Sequence, residues 1–285
     1  MSPHDSPHVD LLAPDGARAR VYLDGAQVAS WIPAGGTDDR LFVSERAHYG
    51  EGQSIRGGIP ICFPQFGATG PLKKHGFARN LRWQLEGQWQ DDKEARARLT
   101  LTDSDVTRAM WPYTFTAALD VAVTGASLTV SLTVTNTGSA PFAFTAALHP
   151  YFRVENAFAC AVHGLAGTRY FDALLGGEVR NEQARTLQID AALDRVYFDT
   201  PNQLELVEPH RTLRIEKYGF PDAVVWNPGA EITANTADFA AGDEQHMLCV
   251  EAGAIGRPVT LSAGEQWMGT QIMTAAIKGS DPLIG

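Results

Sequence analysis

The 285-residue sequence has few cysteines, no excess of basic residues and no long apolar run. Cys62, Cys160 and Cys249 lie far apart, and so sparse a set fits neither a disulfide framework nor a zinc module. With 23 Lys and Arg against 33 Asp and Glu, the formal charge is −10. This balance disfavours nucleic acid or an anionic membrane as the main partner, because both attract a basic surface. A few local arginines can still bind a small anion.

Segments typical of export or membrane insertion are also missing. No stretch approaches 18 apolar residues, so we expect no membrane span. The start of the chain has neither a basic nor an apolar segment, so we expect no signal peptide and a cytoplasmic location. We expect residues 1–10 to be disordered.

Several catalytic motifs are absent as well. The sequence contains no G-x-S-x-G, no P-loop, no G-x-G-x-x-G and no H-E-x-x-H motif. The absence of these motifs disfavours a serine hydrolase, a nucleotide-binding protein and a metalloprotease. The nearest approach to a metal motif pairs His246 with Cys249, and two potential ligands are too few. We therefore expect neither a metal nor a cofactor.

The dominant pattern is an alternation of apolar and polar residues with a period of two. It is clearest over residues 115–148, where turns rich in Gly, Asn and Pro separate the runs. Strict alternation between such turns predicts half-buried antiparallel strands. Shorter runs of the same kind occur at 18–31, 81–90, 95–102, 204–216 and 258–275.

This pattern predicts an all-β fold, an antiparallel β-sandwich with a few short helices. Short helical turns are expected at 104–110 and 233–240, and no long segment carries a helical apolar stripe. Because no linker, repeat or change in composition divides the chain, we expect a single domain over residues 11–285.

A long Gly- and Pro-rich segment, residues 52–79, interrupts the alternation and contains Arg56, His75 and Arg79. Long loops without regular structure are commonly functional. The planar guanidinium of arginine suits bidentate recognition of phosphate or carboxylate, although a structural salt bridge would use the same residue type. Lys73 and Lys74 fit a solvated rim better than a binding role.

Strand parity predicts the direction in which the side chains of His149 and Glu251 point. His149 comes after a strand whose apolar residues share one face, so its side chain projects from the other face. Glu251 likewise points away from the face of Leu248 and Val250. On parity alone, both could be solvated polar residues on an outer sheet face. A histidine and a carboxylate can also form a general acid/base pair.

At these positions the chain resembles the aldose 1-epimerase superfamily, most closely the D-hexose-6-phosphate mutarotase (glucose-6-phosphate 1-epimerase) branch. The matching motifs occur in the family's order, and they are Arg56-Gly-Gly-Ile-Pro-Ile-Cys-Phe-Pro-Gln-Phe-Gly67, His75-Gly-Phe-Ala-Arg79, Leu148-His-Pro-Tyr-Phe152, Asp194-Arg-Val-Tyr197, Val225-Trp-Asn-Pro228, Cys249-Val-Glu-Ala-Gly253 and Gly264-Glu-Gln-Trp-Met-Gly269. Two positions depart from the family: Gly229 stands where an aromatic residue is frequent, and Phe63 where tryptophan is frequent.

The resemblance implies a galactose-mutarotase-like supersandwich that interconverts the α and β anomers of a hexose 6-phosphate. It implies that Glu251 is the general base and that His149 is the general acid. The binding residues it implies are His75 on the wall of the site, Asp194 on sugar hydroxyls, and Arg56 and Arg79 on the phosphate.

For this reaction we expect His149 to begin protonated and Glu251 ionised, a state that their mutual field favours. We expect a monomer whose partner is a small hexose phosphate, without nucleic acid or membrane. Two alternatives stay open: a mutarotase for free sugars such as galactose or glucose, and a non-catalytic carbohydrate-binding β-sandwich. The arginine pair argues against the first, and the acid and base together argue against the second.

Overall fold

A computed structural model describes residues 5–277 of the protein. Numbered in chain order, its strands are β1 His8–Leu12, β2 Arg18–Tyr22, β3 Gln27–Ile32, β4 Ile61–Cys62, β5 Gln84–Gln90, β6 Ala95–Thr102, β7 Phe115–Thr124, β8 Ser127–Asn136, β9 Phe142–Leu148, β10 Tyr151–Arg153, β11 Ala161–His163, β12 Arg169–Asp172, β13 Val179–Asn181, β14 Thr186–Gln188, β15 Leu193–Phe198, β16 Gln203–Val207, β17 Arg211–Tyr218, β18 Asp222–Asn227, β19 Met247–Leu261 and β20 Gln266–Ile277.

In the described part of the chain, helical structure is confined to short segments. Its bounds are α1 Asp105–Met110, α2 Gly229–Ala234 and the 3₁₀ turns Ala78–Asn80, Ala157–Ala159 and Asp243–Gln245. Within residues 5–277, no helix is long and apolar enough to cross a bilayer.

The strands form two large antiparallel sheets and one small sheet. A nine-stranded sheet has the order β14-β11-β16-β17-β20-β8-β7-β6-β5, and an eight-stranded sheet has the order β13-β12-β15-β18-β19-β9-β4, with β10 also paired to β19. Strands β1, β2 and β3 form the small sheet. The predicted all-β, antiparallel β-sandwich is confirmed.

The alternation in the sequence explains the core. In β8 the burial alternates residue by residue, and Leu128, Val130, Leu132 and Val134 are at most 1% exposed. Their side chains join those of Phe144 and Ala146 from the other large sheet in one connected apolar cluster. Each sheet thus contributes one face to the interior, as expected for half-buried strands.

The eight-stranded sheet departs from the half-buried pattern because its second face is covered as well. A separate apolar cluster on that face contains Phe42, Tyr151, Phe239, Met247 and Cys249, with Trp226 packed against it. The loops that follow β3 and α2 supply Phe42 and Phe239 to this cover. Polar side chains on this face therefore lie in a buried environment.

Two predicted boundaries are corrected by the structure, and a third extends beyond the described residues. The expected disorder of residues 1–10 is wrong for residues 8–10, because β1 pairs with β2 and buries Val9. The helical turn expected at 233–240 instead begins at Gly229 and forms α2. Residues 1–4 and 278–285 lie outside the described residues, so the single domain over 11–285 stays a prediction.

Candidate active site

Strand register brings His149 and Glu251 together on the covered outer face of the eight-stranded sheet. In the β9–β19 pair, Leu148 lies opposite Ala252. His149 follows Leu148 and Glu251 precedes Ala252, so these two residues lie opposite each other. The His149 amide also donates to the carbonyl of Pro60, at 3.1 Å, which ties the end of β9 to the 52–79 loop. His149 Nε2 lies 3.2 Å from Glu251 Oε1. The two residues are therefore direct neighbours in a hydrogen-bonding arrangement.

Both side chains are buried, so neither is a solvated residue on an open face. The side chain of His149 is 9% exposed and that of Glu251 is 1% exposed. One buried polar atom of each, His149 Nδ1 and Glu251 Oε2, has no protein hydrogen-bond partner. Buried polar atoms without partners are rare and call for an explanation, and a bound polar substrate supplies one.

Burial shifts the pKa values of this pair in opposite directions. Desolvation raises the pKa of Glu251 well above its usual range, and the charge of Asp194 adds to this. Desolvation lowers the pKa of His149 well below its usual range, with neighbouring cationic groups acting in the same sense. Both directions favour a pair that holds one proton and no net charge. Burial therefore opposes the expected ionised state of the two residues.

Aromatic rings form one wall beside the pair. Tyr151 stacks on the His149 imidazole, with ring centroids 4.9 Å apart and planes at 12°. Trp226 meets the same imidazole edge to face at 5.8 Å, and Phe239 lies against Trp226. Such packing fixes the orientation of the imidazole before any substrate binds.

His75 approaches from the 52–79 loop and lies beside His149, with ring centroids 5.7 Å apart. Its backbone φ is +68°, a left-handed conformation that is uncommon outside glycine. Burial, with nearby cationic groups acting in the same sense, lowers the pKa of His75 to about 3. The imidazole is therefore neutral at physiological pH. Non-glycine residues held in this conformation cluster at functional sites.

Asp194 reaches the site from β15, where it lies opposite Trp226 of β18 in register. It is half-buried. Desolvation raises the pKa of Asp194, with Lys74 opposing and Asp172 reinforcing the shift. Its charge acts on Glu251, so the carboxylate lies near the acid/base pair.

Arg56 is close to the pair but already has partners. Its guanidinium donates to Tyr151 Oη and to Asp238 Oδ1, each at 3.1 Å. It also lies over the Phe239 ring at 4.7 Å. Its buried Nε has no hydrogen-bond partner. These contacts fix the direction of Arg56 and neutralise part of its charge.

The guanidinium of Arg79 has fewer hydrogen-bond partners than that of Arg56. The Arg79 guanidinium donates to the carbonyl oxygen of Lys74, at 3.1 Å, and its buried Nε has no hydrogen-bond partner. Its positive charge lowers the pKa of both His75 and His149. Arg79 therefore lies near the site with hydrogen-bonding capacity to spare.

The sequence predicts that Lys74 belongs to a solvated rim, and the structure modifies this prediction. The side chain is exposed, but its charge acts on Glu251, Asp194 and His75. It therefore lies at the mouth of the site. The signal available in the sequence was its position directly before His75 in the matched motif.

The two departures from the family pattern lie away from the acid/base pair. Phe63 is fully buried in the core and packs edge to face against Phe144 and Trp111. Gly229 has a φ of +63°, and a Cβ atom there would lie 2.7 Å from that of Ala192, so the backbone requires glycine. Gly229 lines a separate open cavity of about 420 Å³, which none of the predicted site residues lines.

Possible metal ligands do not converge in the part of the chain that the structure describes. No group of three or more His, Cys, Asp or Glu residues between positions 5 and 277 is placed to hold an ion.

Comparison with known proteins places the chain in a sequence family. The family model described as aldose 1-epimerase matches residues 7–274. A Cenchrus ciliaris protein, provisionally named glucose-6-phosphate 1-epimerase, is 37% identical over 273 residues, which cover 91% of this chain and 83% of the relative. An Escherichia coli K12 protein with the same provisional name is 31% identical over 250 residues, covering 85% and 82%.

The fold has a close counterpart among solved structures. The crystal structure of a provisionally assigned mutarotase from Salmonella typhimurium superposes with a TM-score of 0.89. It is 27% identical in sequence and covers 98% of this chain and 93% of its own.

Proposed function

The chain belongs to the aldose 1-epimerase family, and we propose that it interconverts the α and β anomers of a hexose 6-phosphate, with glucose 6-phosphate as the first candidate. The enzyme is an isomerase. The observation that carries the proposal is the contact of 3.2 Å between His149 Nε2 and Glu251 Oε1 in a buried setting. The names of its relatives support the choice of a sugar phosphate.

The reaction requires one proton to leave the C1 hydroxyl and one proton to reach the ring oxygen. We assign the first transfer to Glu251 as base and the second to His149 as acid. The bond between C1 and the ring oxygen breaks as the C1 carbonyl forms, which leaves a neutral open-chain aldehyde. Rotation about the C1–C2 bond presents the other face, and the reverse transfers close the ring.

The proton count of the pair suits this cycle. Ring opening proceeds from the arrangement that burial disfavours, with the pair's proton on His149 and Glu251 ionised, and it ends with one proton on Glu251, taken from the C1 hydroxyl, and His149 neutral. Ring closure returns the proton to His149, so the pair carries one proton throughout. The two oxygens that exchange protons are bonded to the same carbon, which matches an acid and a base in direct contact. Each positioned acid or base typically contributes about 10²–10⁴ in rate.

The remaining residues divide into two binding roles. Asp194 accepts hydrogen bonds from sugar hydroxyls, and His75 lines the site beside His149. Arg56 and Arg79 bind the phosphate, with Lys74 adding charge at the mouth. A net charge of −10 gives a dianion no long-range attraction, so this local cationic group must supply the recognition. A cytoplasmic location and a monomeric state stay predictions.

The deciding experiment is anomer exchange measured by NMR saturation transfer on glucose 6-phosphate, glucose and galactose. We expect the largest kcat/KM on the phosphate ester, and loss of exchange in Glu251→Gln. Equal exchange on free galactose would instead favour the free-sugar mutarotase. Sugar binding without exchange would favour a non-catalytic sandwich.

A further inference from the structure

Two groups that can donate a hydrogen bond contact the Nδ1 atom of His75. The backbone amide of Gly67 donates to it at 3.3 Å, and Cys62 Sγ lies 3.2 Å from it. The Gly67 carbonyl in turn accepts the His75 backbone N–H at 2.9 Å. His75 is thus held at both its backbone and its ring by the same short loop, with the thiol of β4 on the other side.

This arrangement determines which ring nitrogen carries hydrogen. A backbone amide can only donate, so the Gly67 contact, long at 3.3 Å, favours an accepting, unprotonated Nδ1 but needs the second donor to hold it. A neutral imidazole carries one hydrogen, which is therefore on Nε2. Burial raises the pKa of the Cys62 thiol, so the sulfur keeps its hydrogen and is the donor in its contact with Nδ1.

Burial keeps the His75 ring neutral, and the charges around it act in the same sense. Arg79, Lys74 and Arg56 all act against the imidazolium form. The titratable groups beside the ring are His149, in edge-to-face contact, and the Cys62 thiol. No carboxylate is among the groups that shift the His75 pKa. Protonation of His75, in addition to the one proton held by the His149–Glu251 pair, is therefore disfavoured.

We propose that Cys62 is a positioning residue: its thiol and the Gly67 amide hold His75 as the neutral Nε2–H tautomer, so that His75 donates a hydrogen bond to a sugar oxygen and takes no part in proton transfer. The role toward the sugar rests on the proposed function. The tautomer is a property of the substrate-free protein and stands independently of it.

The first test is the tautomer itself, read from nitrogen-15 NMR of the histidine-labelled, substrate-free protein near neutral pH. The chain contains eight histidines, and the signals that vanish in His75→Asn assign the ring. We expect an unprotonated Nδ1 and a protonated Nε2. A protonated Nδ1, or a doubly protonated ring, overturns the proposal without any variant of Cys62.

The second test compares Cys62→Ala, which removes the donor, with Cys62→Ser, which retains one. Losing a neutral hydrogen bond should populate the other tautomer of His75 and lower kcat/KM on glucose 6-phosphate about 2- to 10-fold. Serine should restore the tautomer. The matched control is Cys160→Ala, because Cys160 is equally buried and its thiol donates to the backbone carbonyl of Asn156 instead.

The outcomes separate this proposal from the proposed function. If Cys62→Ala leaves the His75 tautomer unchanged, Cys62 has no positioning role, whatever the activity. If the tautomer changes as expected but the wild-type protein exchanges no hexose phosphate, the positioning role holds and the proposed function fails. A loss of activity in Cys62→Ala that is matched by Cys160→Ala would indicate a general packing effect and contradict the proposal.

Discussion

His149 Nε2 and Glu251 Oε1 lie 3.2 Å apart, and the more accessible of the two side chains is only 9% exposed. Adjacent strands in antiparallel register produce this contact, because Leu148 pairs with Ala252. In such a buried pair, the states with two protons or none carry a net charge that burial disfavours. The state with one proton is neutral, and it is the state that the proposed mechanism uses.

The pH dependence of exchange should therefore show a broad plateau around neutral pH. Activity falls at low pH when His149 and Glu251 hold two protons, and at high pH when they hold none. Because burial lowers the pKa of His149 and raises that of Glu251, both limbs lie outside the usual range of these groups. The measurement is kcat/KM from acid to alkaline pH, and a narrow bell centred near pH 6 would contradict the shared-proton pair.

Glu251→Gln should reduce exchange about 10²–10⁴-fold with little effect on sugar phosphate binding, since the amide keeps the shape but cannot accept a proton. The measurements are NMR exchange and calorimetric binding of glucose 6-phosphate. Glu205→Gln is the control, because Glu205 is a half-buried glutamate of β16 in the other large sheet, where it lies beside His163. Exchange near the wild-type rate would remove Glu251 from the base role.

Asp194→Asn should move the alkaline limb to lower pH and raise KM. The negative charge of Asp194 raises the pKa of Glu251, so its removal lets the pair lose its last proton more easily. The control is Asp190→Asn, an exposed carboxylate in the loop before β15. An alkaline limb that stays in place would show that Asp194 does not act on the pair.

Arg79→Ala should lower kcat/KM on glucose 6-phosphate about 10- to 100-fold, because hydrogen bonds to charged groups are worth about 1.5–3 kcal/mol. Activity on glucose should change far less. Arg214→Ala, an exposed arginine of β17, is the control. An equal loss on both sugars would assign Arg79 to the loop or the ring instead of the phosphate.

Arg56→Ala should lower activity on both glucose 6-phosphate and glucose, with the larger loss on the phosphate ester. Arg56 donates to Tyr151, and Tyr151 stacks on the His149 imidazole, so the acid loses part of its support. The ratio of kcat/KM for the two substrates measures the phosphate contribution. A ratio equal to that of the wild type would restrict Arg56 to positioning Tyr151.

Lys217 gives a prediction about stability. It is 1% exposed and donates to the Phe220 carbonyl, and desolvation, partly opposed by Asp222, lowers its pKa from 10.5 to about 8. Between these values the unfolded chain binds more protons than the folded chain, so stability from this group rises with pH. Below about pH 8 that contribution is absent, and the buried charge is a cost.

The test is urea unfolding of the wild type and Lys217→Met at about pH 7.5 and about pH 10. One pKa unit corresponds to about 1.4 kcal/mol, so the wild type should gain stability relative to the variant by a few kcal/mol. Lys93→Met, an exposed lysine, should show no such relative gain. Parallel pH dependences for wild type and Lys217→Met would contradict the shifted pKa.

The sequence by itself determined the fold class, because alternation between turns is a local property. The alternation of apolar and polar residues predicted β8 and the burial of every second residue in it. The same parity placed His149 and Glu251 on the face opposite the core. The ordered motifs also indicated the family and the residues to examine. The site roles drawn from them stay predictions until the variants are measured.

Only the tertiary structure decided that this outer face is buried and which groups meet there. Phe42 and Phe239 come from distant loops to cover it, and Arg56 finds Asp238 at a separation of 182 residues. Parity gives the direction of a side chain but carries no information about what packs over it. The pKa directions of His149 and Glu251 depend on that cover, because desolvation is their largest cause.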